Sequence, residues 1–515
     1  MIPAVLALAT LSGPLPKLGV VVVAALAAAT LLTADRRRRA LAMAGALVLS
    51  PVLLLSAIWN SPQLGVIHRH PLYVAIFAVV ALAVLCAAAW KLAPRFYLIA
   101  PLAVLALPFR VPIQAGGADR NLLVPLYLVV AVGALAWLVP ALRDSRGGGA
   151  NEPEIHGAEG WALWVERLLA LFIVLYGVQA AYSPGFQPAL QNMVFFYVPF
   201  ALLYVLLRSV RWNREMARTC LLVIVGLALI FAVIAYVEYA TKTIILNPKL
   251  AVTNDYHTYF TVNSVFFDPD IFGRFLALVM IFLAVLLLYP RAAREQAVTS
   301  AALAALWVAL VLTLSRSSLG ALLVGLGVLA ALRWRPTRAL YIALAVILVG
   351  AIAVAATPRT FGLNQGLNGA SSGRGGLVSG GIRLFGDRPV WGYGSGSFET
   401  EYRRHNRATA TSLSASHTIP ITVAAEQGLI GEVVYLGLVI AALICLIRRA
   451  RGDPLRSALA AAFAALVFHT MLYADFLEDP VTWALLAVGV SLAVVGPVKT
   501  ELSPRRSPPT HLARS

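Results

Sequence analysis

Apolar runs follow one another along this chain from end to end, each near the ~20 residues that a helix needs to cross ~30 Å of hydrocarbon. They predict spans at roughly 18–34, 40–58, 71–90, 96–109, 121–142, 161–181, 188–207, 219–240, 271–289, 298–314, 318–332, 339–357, 419–447, 457–473 and 480–497. Residues 1–13 add at most a half-span, because Pro14 and Pro16 interrupt them. One long polar interval breaks the pattern, from about Thr357 to Gly431. The expected fold is all-α: a polytopic transmembrane helix bundle of about 14–15 spans, with a long loop, 358–416, between the twelfth and thirteenth. The spans read as lacking acidic residues near their middles, Glu238 lying toward one end and Asp475, Glu478 and Asp479 in the last turn between spans.

Composition narrows this. Of 515 residues, 60% are hydrophobic and 12% charged, and mean hydropathy is +0.82, which excludes a soluble globular chain. A net charge of +18 raises the question of a nucleic-acid partner, but the basic residues sit in short seams between spans rather than on one face. They are read as topology signals and contacts to anionic membrane lipids, with no nucleic acid. The seams at Arg36–Arg39, Arg208–Arg218, Arg333–Arg338 and Arg448–Arg456 alternate onto one side, the inside, which puts 358–416 on the outer face. The run before Arg36 lacks a basic leader and reads as a first span, not a cleaved signal. Cys86, Cys220 and Cys445 all fall in apolar runs, so no disulfide framework is expected. The chain divides provisionally into N-terminal spans (1–240), a C-terminal region carrying the long loop (241–497) and a cytoplasmic tail (498–515).

Candidate chemistry concentrates at the outer ends of the spans. Seven arginines fall in the polar interval (Arg359, Arg374, Arg383, Arg388, Arg403, Arg404, Arg407), with His405 and His417. Arg316 interrupts an apolar stretch between Ala297 and Leu332, at a tight turn among hydroxyl residues. A guanidinium there suits bidentate phosphate binding better than simple snorkelling. Arg274 is expected one turn into its helix, facing the same outer vestibule as Arg316. Asp268-Pro269-Asp270 can hold a divalent metal on a diphosphate, but an N-cap, with Asp270 capping, is the favoured reading. Gly392-x-Gly394-x-Gly396 lacks the strand and helix context of a dinucleotide loop. It is a tight backbone path, either structural or bringing main-chain N–H groups to an anion. His417, where the loop meets the next span, is the candidate general base. Glu426 lies about 180° round an ideal helix from His417 and can instead fix its helix to a neighbour. His469 reads as a hydrogen-bonded packing residue and His405 as part of a solvated basic face.

Three segments in order resemble the O-antigen ligase and O-antigen polymerase superfamily of polytopic bacterial glycosyltransferases. They are Leu312-Thr313-Leu314-Ser315-Arg316-Ser317, the stretch from Gly386 to Phe398 with its spaced glycines, and Ser416-His417-Thr418 followed by Ala425-Glu426-Gln427-Gly428-Leu429-Ile430-Gly431. Asp268-Pro269-Asp270 to Arg274 is similar to the segment preceding them, so the resemblance covers roughly 260–440. It implies a metal-independent, cofactor-free transfer of a glycan from a polyprenyl-diphosphate carrier to a hydroxyl of a glycan, lipid or protein acceptor, on the outer face of the bacterial inner membrane. Carried over by position, Arg316, Arg274 and Arg388 are diphosphate-binding candidates and His417 the catalytic base, supported by Glu426, Asp268, Asp270, Gly394 and Gly396; no metal ligand is implied. Two departures stand out: Thr418 replaces the usual asparagine, and an arginine often found before the Asp-Pro segment is missing near Thr261–Ser264, leaving Arg274 or Arg388 to take its place. A polymerase, which joins repeat units on the carrier, is the nearest alternative, and a flippase for the same lipid-linked glycan a more distant one.

Overall fold

The computed structural model describes residues 14–59, 65, 69–115, 118–143, 157–246, 254, 259–289, 292–334, 337, 374–406, 416 and 418–494. The expected span 339–357, residue His417 and the tail 498–515 lie outside the described residues. In chain order the helices are α1 (Pro14–Leu32), α2 (Arg36–Ile58), α3 (Pro71–Leu92), α4 (Ile99–Ala106), α5 (Val124–Arg143), α6 (Gly160–Ala180), α7 (Phe186–Asn192), α8 (Val198–Arg208) and α9 (Arg214–Thr241). There follow α10 (Pro269–Leu288), α11 (Ala293–Leu312), α12 (Arg316–Arg333), α13 (Arg374–Asp387), α14 (Phe398–Asn406), α15 (Ile419–Ile447), α16 (Pro454–Thr470) and α17 (Pro480–Val494).

Among the described residues, eleven helical stretches are long and apolar enough to cross a membrane, and α16 and α17 are shorter apolar helices. The protein is a polytopic helical membrane protein. Apolar runs form helices here because only a helix satisfies its own backbone in hydrocarbon. Local chemistry sets their ends: Asp35, Asn213 and Asp453 accept N–H groups of the first turns of α2, α9 and α16. The apolar run 71–106 is interrupted at Arg95 (φ −120°, ψ 38°), between the two expected spans. A π-turn at Met193–Tyr197 joins α7 to α8 within the most enclosed span.

The helical bundle is as expected, with one addition and two corrections. As the addition, β1 (Val111–Ala115) and β2 (Ala118–Leu122) pair antiparallel, with Ala115 opposite Ala118. The sequence carried the signal, since Gly116-Gly117 between two short runs is a hairpin turn pattern. The polar interval is not all loop, because α13 and α14 lie within it. An acidic residue does occur near the middle of a span: Glu432 stands halfway along α15.

One apolar core runs through the bundle, with buried residues from Val20 to Val490. Helices from the two halves interleave in it, α6 packing on α15 and α8 on α17. Opposite ends of α6 fix the two ends of the bundle. Glu166, near its start, meets Arg208 at the end of α8. Gln179, at its far end, meets Trp391 and Gln427. Thirteen residues separate the two, about 20 Å along a helix. Every motif residue described below lies at the Gln179 end.

Candidate functional site

The first cluster forms where α10 and α12 start side by side. Asp268 caps α10, its Oδ1 accepting the Asp270 N–H at 2.7 Å, while Oδ2 accepts the Tyr473 hydroxyl at 2.7 Å. The capping residue is thus Asp268, not Asp270 as the sequence suggested. Asp270 is then released to face α12: its Oδ1 stands 2.5 Å from Ser315 Oγ and 3.2 Å from Ser317 Oγ, and its carbonyl accepts Ser318 Oγ at 3.1 Å. Ser315 caps α12 in turn, and Leu314, at φ 53°, makes the tight turn from α11. Gly273 permits this proximity, because a Cβ there would come within 2.7 Å of Ser318 Oγ. His469 closes the cluster from α16, its Nε2 lying 3.2 Å from Ser317 Oγ and 3.3 Å from Ser318 Oγ; it is a buried, hydrogen-bonded residue, as expected. Burial raises the Asp268 carboxyl above its ordinary range, the neighbouring Asp270 pushes it the same way, and the Tyr473 hydrogen bond draws it partly back. Both carboxylates are engaged with N–H and O–H donors, Asp268 as the cap of α10 and Asp270 against the serines of α12.

Arg316 is the first residue of α12 and is exposed, between two serines that Asp270 holds. Arg274 differs from expectation. Instead of opening onto a vestibule with Arg316 it is 3% exposed, with Nη2 2.7 Å from Asp479 Oδ2 and Nη1 donating to the Asp475 carbonyl at 3.4 Å. A guanidinium so buried needs a counter-charge, and the 475–479 turn folds over α10 to supply it. Sequence reasoning noted that acidic turn without pairing it to Arg274; the matching lone cation on a neighbouring span was the available signal.

The second cluster is a helix break with a loop plugged into it. α15 is interrupted at Gly428 (φ 66°, ψ −165°), which leaves main-chain groups on both sides without helical partners. The glycine segment supplies them: Tyr393 and Gly394 N–H donate to the carbonyls of Ala425 (3.2 Å) and Glu426 (2.7 Å), and Leu429 N–H donates to the Pro389 carbonyl (2.7 Å). Gln179 joins from α6, its Nε2 donating to the carbonyls of Trp391 (3.3 Å) and Gln427 (3.2 Å). Gly392, Gly394 and Gly396 all have positive φ, and a Cβ on Gly394 would strike Ser183 at 2.7 Å. The glycines therefore serve close packing. They also bring main-chain N–H groups to an anion, but that anion is Glu426 itself, whose Oε2 and Oε1 accept Gly396 N–H at 2.8 Å and Phe398 N–H at 2.9 Å. Glu426 thus fixes the glycine loop to α15.

Arg388 belongs to this second cluster. It is exposed, its guanidinium 4.5 Å from the Tyr393 ring centre, at an open cleft of about 440 Å³ shared with Tyr182, Val390 and Trp391. Arg403 pairs with Glu399 at the surface, while His405 turns to Glu401, whose carboxylate is buried. His417 lies outside the described residues, but its neighbours are held: Ser416 Oγ donates to the Thr418 carbonyl at 2.6 Å, and Thr418 Oγ1 donates to the Met471 carbonyl at 3.1 Å. Met471 stands two residues before Tyr473, so Thr418 ties the second cluster's helix to the first cluster.

Residues 300–436, from α11 past the break in α15, match the family model described as O-antigen ligase (Wzy_C). A search of curated proteins finds no match. The matched stretch, about a quarter of the chain, holds Arg316 with its serines, the glycine segment and the Glu426–Gly428 break, and in that stretch the chain is similar to the O-antigen ligase family.

Proposed function

We propose that this protein is a membrane glycosyltransferase that moves a glycan from a polyprenyl-diphosphate carrier to an acceptor hydroxyl on the outer face of a bacterial inner membrane. The observation that carries the reading is Arg316, exposed at the head of α12 between two serines held by Asp270, inside the family-matched stretch. In the proposed reaction the acceptor oxygen attacks the anomeric carbon and its proton passes to His417. The bond from that carbon to the diphosphate breaks, and the leaving diphosphate takes the electron pair. Arg316 stabilises the charge that develops on it, which a fixed guanidinium at a water–membrane boundary does without a metal. Arg388, exposed beside an open cleft, is the better second cation; Arg274, buried on Asp479, is a positioning residue that ties α10 to the 475–479 turn. The positive-inside pattern supports the outward placement.

Transfer to a finished acceptor is the leading reading, and polymerisation on the carrier the second. Analysis of lipid-linked intermediates in a deletion strain separates them: long chains accumulate on the carrier if a ligase is lost, single repeats if a polymerase is lost. In reconstituted vesicles the wild type is expected to release polyprenyl diphosphate only when acceptor is present. Movement of lipid-linked glycan across the bilayer with no such release would replace the enzyme by a flippase, and unchanged activity in both Arg316→Ala and His417→Ala would remove the site.

A further inference from the structure

The turn Arg388–Gly392 presents side chains that its own fold does not use. Its first four carbonyls are all bound inside the protein: Arg388 accepts the Gly392 N–H at 3.0 Å, Pro389 the Leu429 N–H at 2.7 Å and Val390 the Ile430 N–H at 3.5 Å, while Trp391 accepts the Tyr182 hydroxyl at 2.8 Å and Gln179 Nε2 at 3.3 Å. Gly392 seats the turn so closely on the broken helix that a Cβ there would come within 2.3 Å of the Glu426 carbonyl. The main chain is therefore fixed in one place. Its side chains are exposed all the same, Val390 by 52% and Trp391 by 59%, with Tyr182 beside them at 45%. Together with Arg388 they line the open cleft of about 440 Å³. Arg388 lies within electrostatic reach of the Tyr182 hydroxyl, and among the described residues its guanidinium meets the Tyr393 ring rather than a carboxylate.

We infer that this cleft is a saccharide subsite, in which Trp391 and Tyr182 stack on the apolar C–H face of the sugar joined to the carrier's diphosphate while Arg388 reaches the diphosphate itself. The inference rests on the proposed donor and adds where its sugar is held. A sugar ring is apolar on its faces and hydroxylated round its edge, so it needs an aromatic plate with a few hydrogen-bonding groups at the rim. Trp391 and Tyr182 supply the plates. The Tyr182 hydroxyl donates to Trp391 and keeps its lone pairs for a sugar O–H, and the Arg388 fork suits phosphate oxygens. An isoprenoid tail has no use for such a rim. A turn already fixed by its main chain also loses little freedom when a sugar settles on it. The cleft volume falls in the ordinary range for ligand sites, about 300–1,000 Å³.

The test uses the full-length protein and two probes: the lipid-linked glycan extracted from the deletion strain, and sugar-free polyprenyl diphosphate. Competition between them is scored by native mass spectrometry in neutral detergent, and transfer in reconstituted vesicles. The wild type is expected to prefer the glycan-bearing probe by about fivefold or more. Trp391→Leu keeps an apolar group and removes the plate; it is expected to abolish that preference and to raise the KM for lipid-linked glycan about tenfold, with kcat within about twofold and Tm unchanged. Trp391→Tyr, which restores a plate, should recover most of the preference. A preference left intact in Trp391→Leu would overturn the subsite. So would equal weakening of both probes, which would make Trp391 an anchor for the membrane or the carrier tail. Equal binding of the two probes by the wild type would overturn the subsite and leave the proposed donor standing, whereas binding of neither would remove the donor and the subsite with it.

Discussion

At the break in α15 the polar groups are satisfied almost wholly by main chain; at the head of α12 they are satisfied by side chains. Both clusters lie at one end of the bundle, and each has its central turn, Ser315–Ser318 in one and the glycine segment with Glu426–Gly428 in the other, within the family-matched stretch. Around Gly428 the glycine loop and the broken helix exchange N–H and carbonyl groups, and even the carboxylate of Glu426 is spent on Gly396 and Phe398. Around Asp270 the partners are hydroxyls, an imidazole and carboxylates, with Arg316 presented at the surface. A main-chain lattice has one arrangement and serves to hold a loop. A hydroxyl and carboxylate cluster can accept or release protons, and it sets the direction of the cation it flanks. In the proposed reaction the lattice around Gly428 is the scaffold and the cluster at the head of α12 carries the chemistry.

The largest expected effect tests whether Arg274 belongs to the scaffold. Arg274→Met leaves Asp479 buried without its cation and is expected to cost about 3–5 kcal/mol of stability, as for other buried pairs that lose one member. The double variant Arg274→Met, Asp479→Leu should recover most of this in thermal unfolding while keeping transfer activity. If the double variant is as stable as the wild type but inactive, Arg274 acts on the substrate, and the division drawn above fails there. Arg316→Ala should show the opposite profile: an unchanged Tm, because the side chain is exposed, and a fall in kcat of about 10²–10³-fold, the usual loss when one donor to a developing charge is removed. Arg316→Lys should recover only part of it, since an ammonium lacks the bidentate fork.

A smaller effect is expected at the scaffold itself. Glu426→Gln preserves the shape of the side chain but weakens one acceptor and replaces the other by an amide N–H₂ facing Gly396 or Phe398 N–H. About 1–3 kcal/mol of stability should be lost, with transfer per folded molecule nearly unchanged. Faster hydrogen exchange at the amides of 393–398 would locate the loss in the loop; a collapse of activity at full stability would move Glu426 into the chemistry.

The sequence carried the spans because runs of ~20 apolar residues have one stable form in hydrocarbon, and it carried the turn at Ser315 because a polar island in such a run has to be an end. Arg316 was legible for the same reason. What escaped was pairing over long separations. Nothing near Arg274 in the chain points to Asp479, and nothing near the glycine segment says that the anion it approaches is Glu426. The break at Gly428 was hidden because an apolar run reads as continuous through a single glycine. The exchange of cap from Asp270 to Asp268 shows the limit most simply: both residues suit the position, and only the packing of α12 against α10, which gives Asp270 three serines to face, decides between them.

The finest distinction concerns protons in the hydroxyl cluster. Asp268 titrates above its ordinary range in the folded protein, chiefly from burial, and the Tyr473 hydroxyl limits that rise by donating to the charged form. A carboxyl with a raised folded pKa binds more protons folded than unfolded, so its contribution to stability is full below the ordinary aspartate pKa of about 3.8 and declines as pH rises through the folded value. Tyr473→Phe removes the donor and leaves the burial, so the folded value moves further up and the decline shifts to higher pH. In unfolding measurements between about pH 4 and 8 the difference in stability between wild type and Tyr473→Phe should therefore be smallest at the acid end and widen with pH, to about 1.5–3 kcal/mol where Asp268 is charged in both proteins. A constant difference across that range would mean that Tyr473 holds the 471–475 turn by packing alone, and the head of α12 would then be as proton-indifferent as the lattice around Gly428.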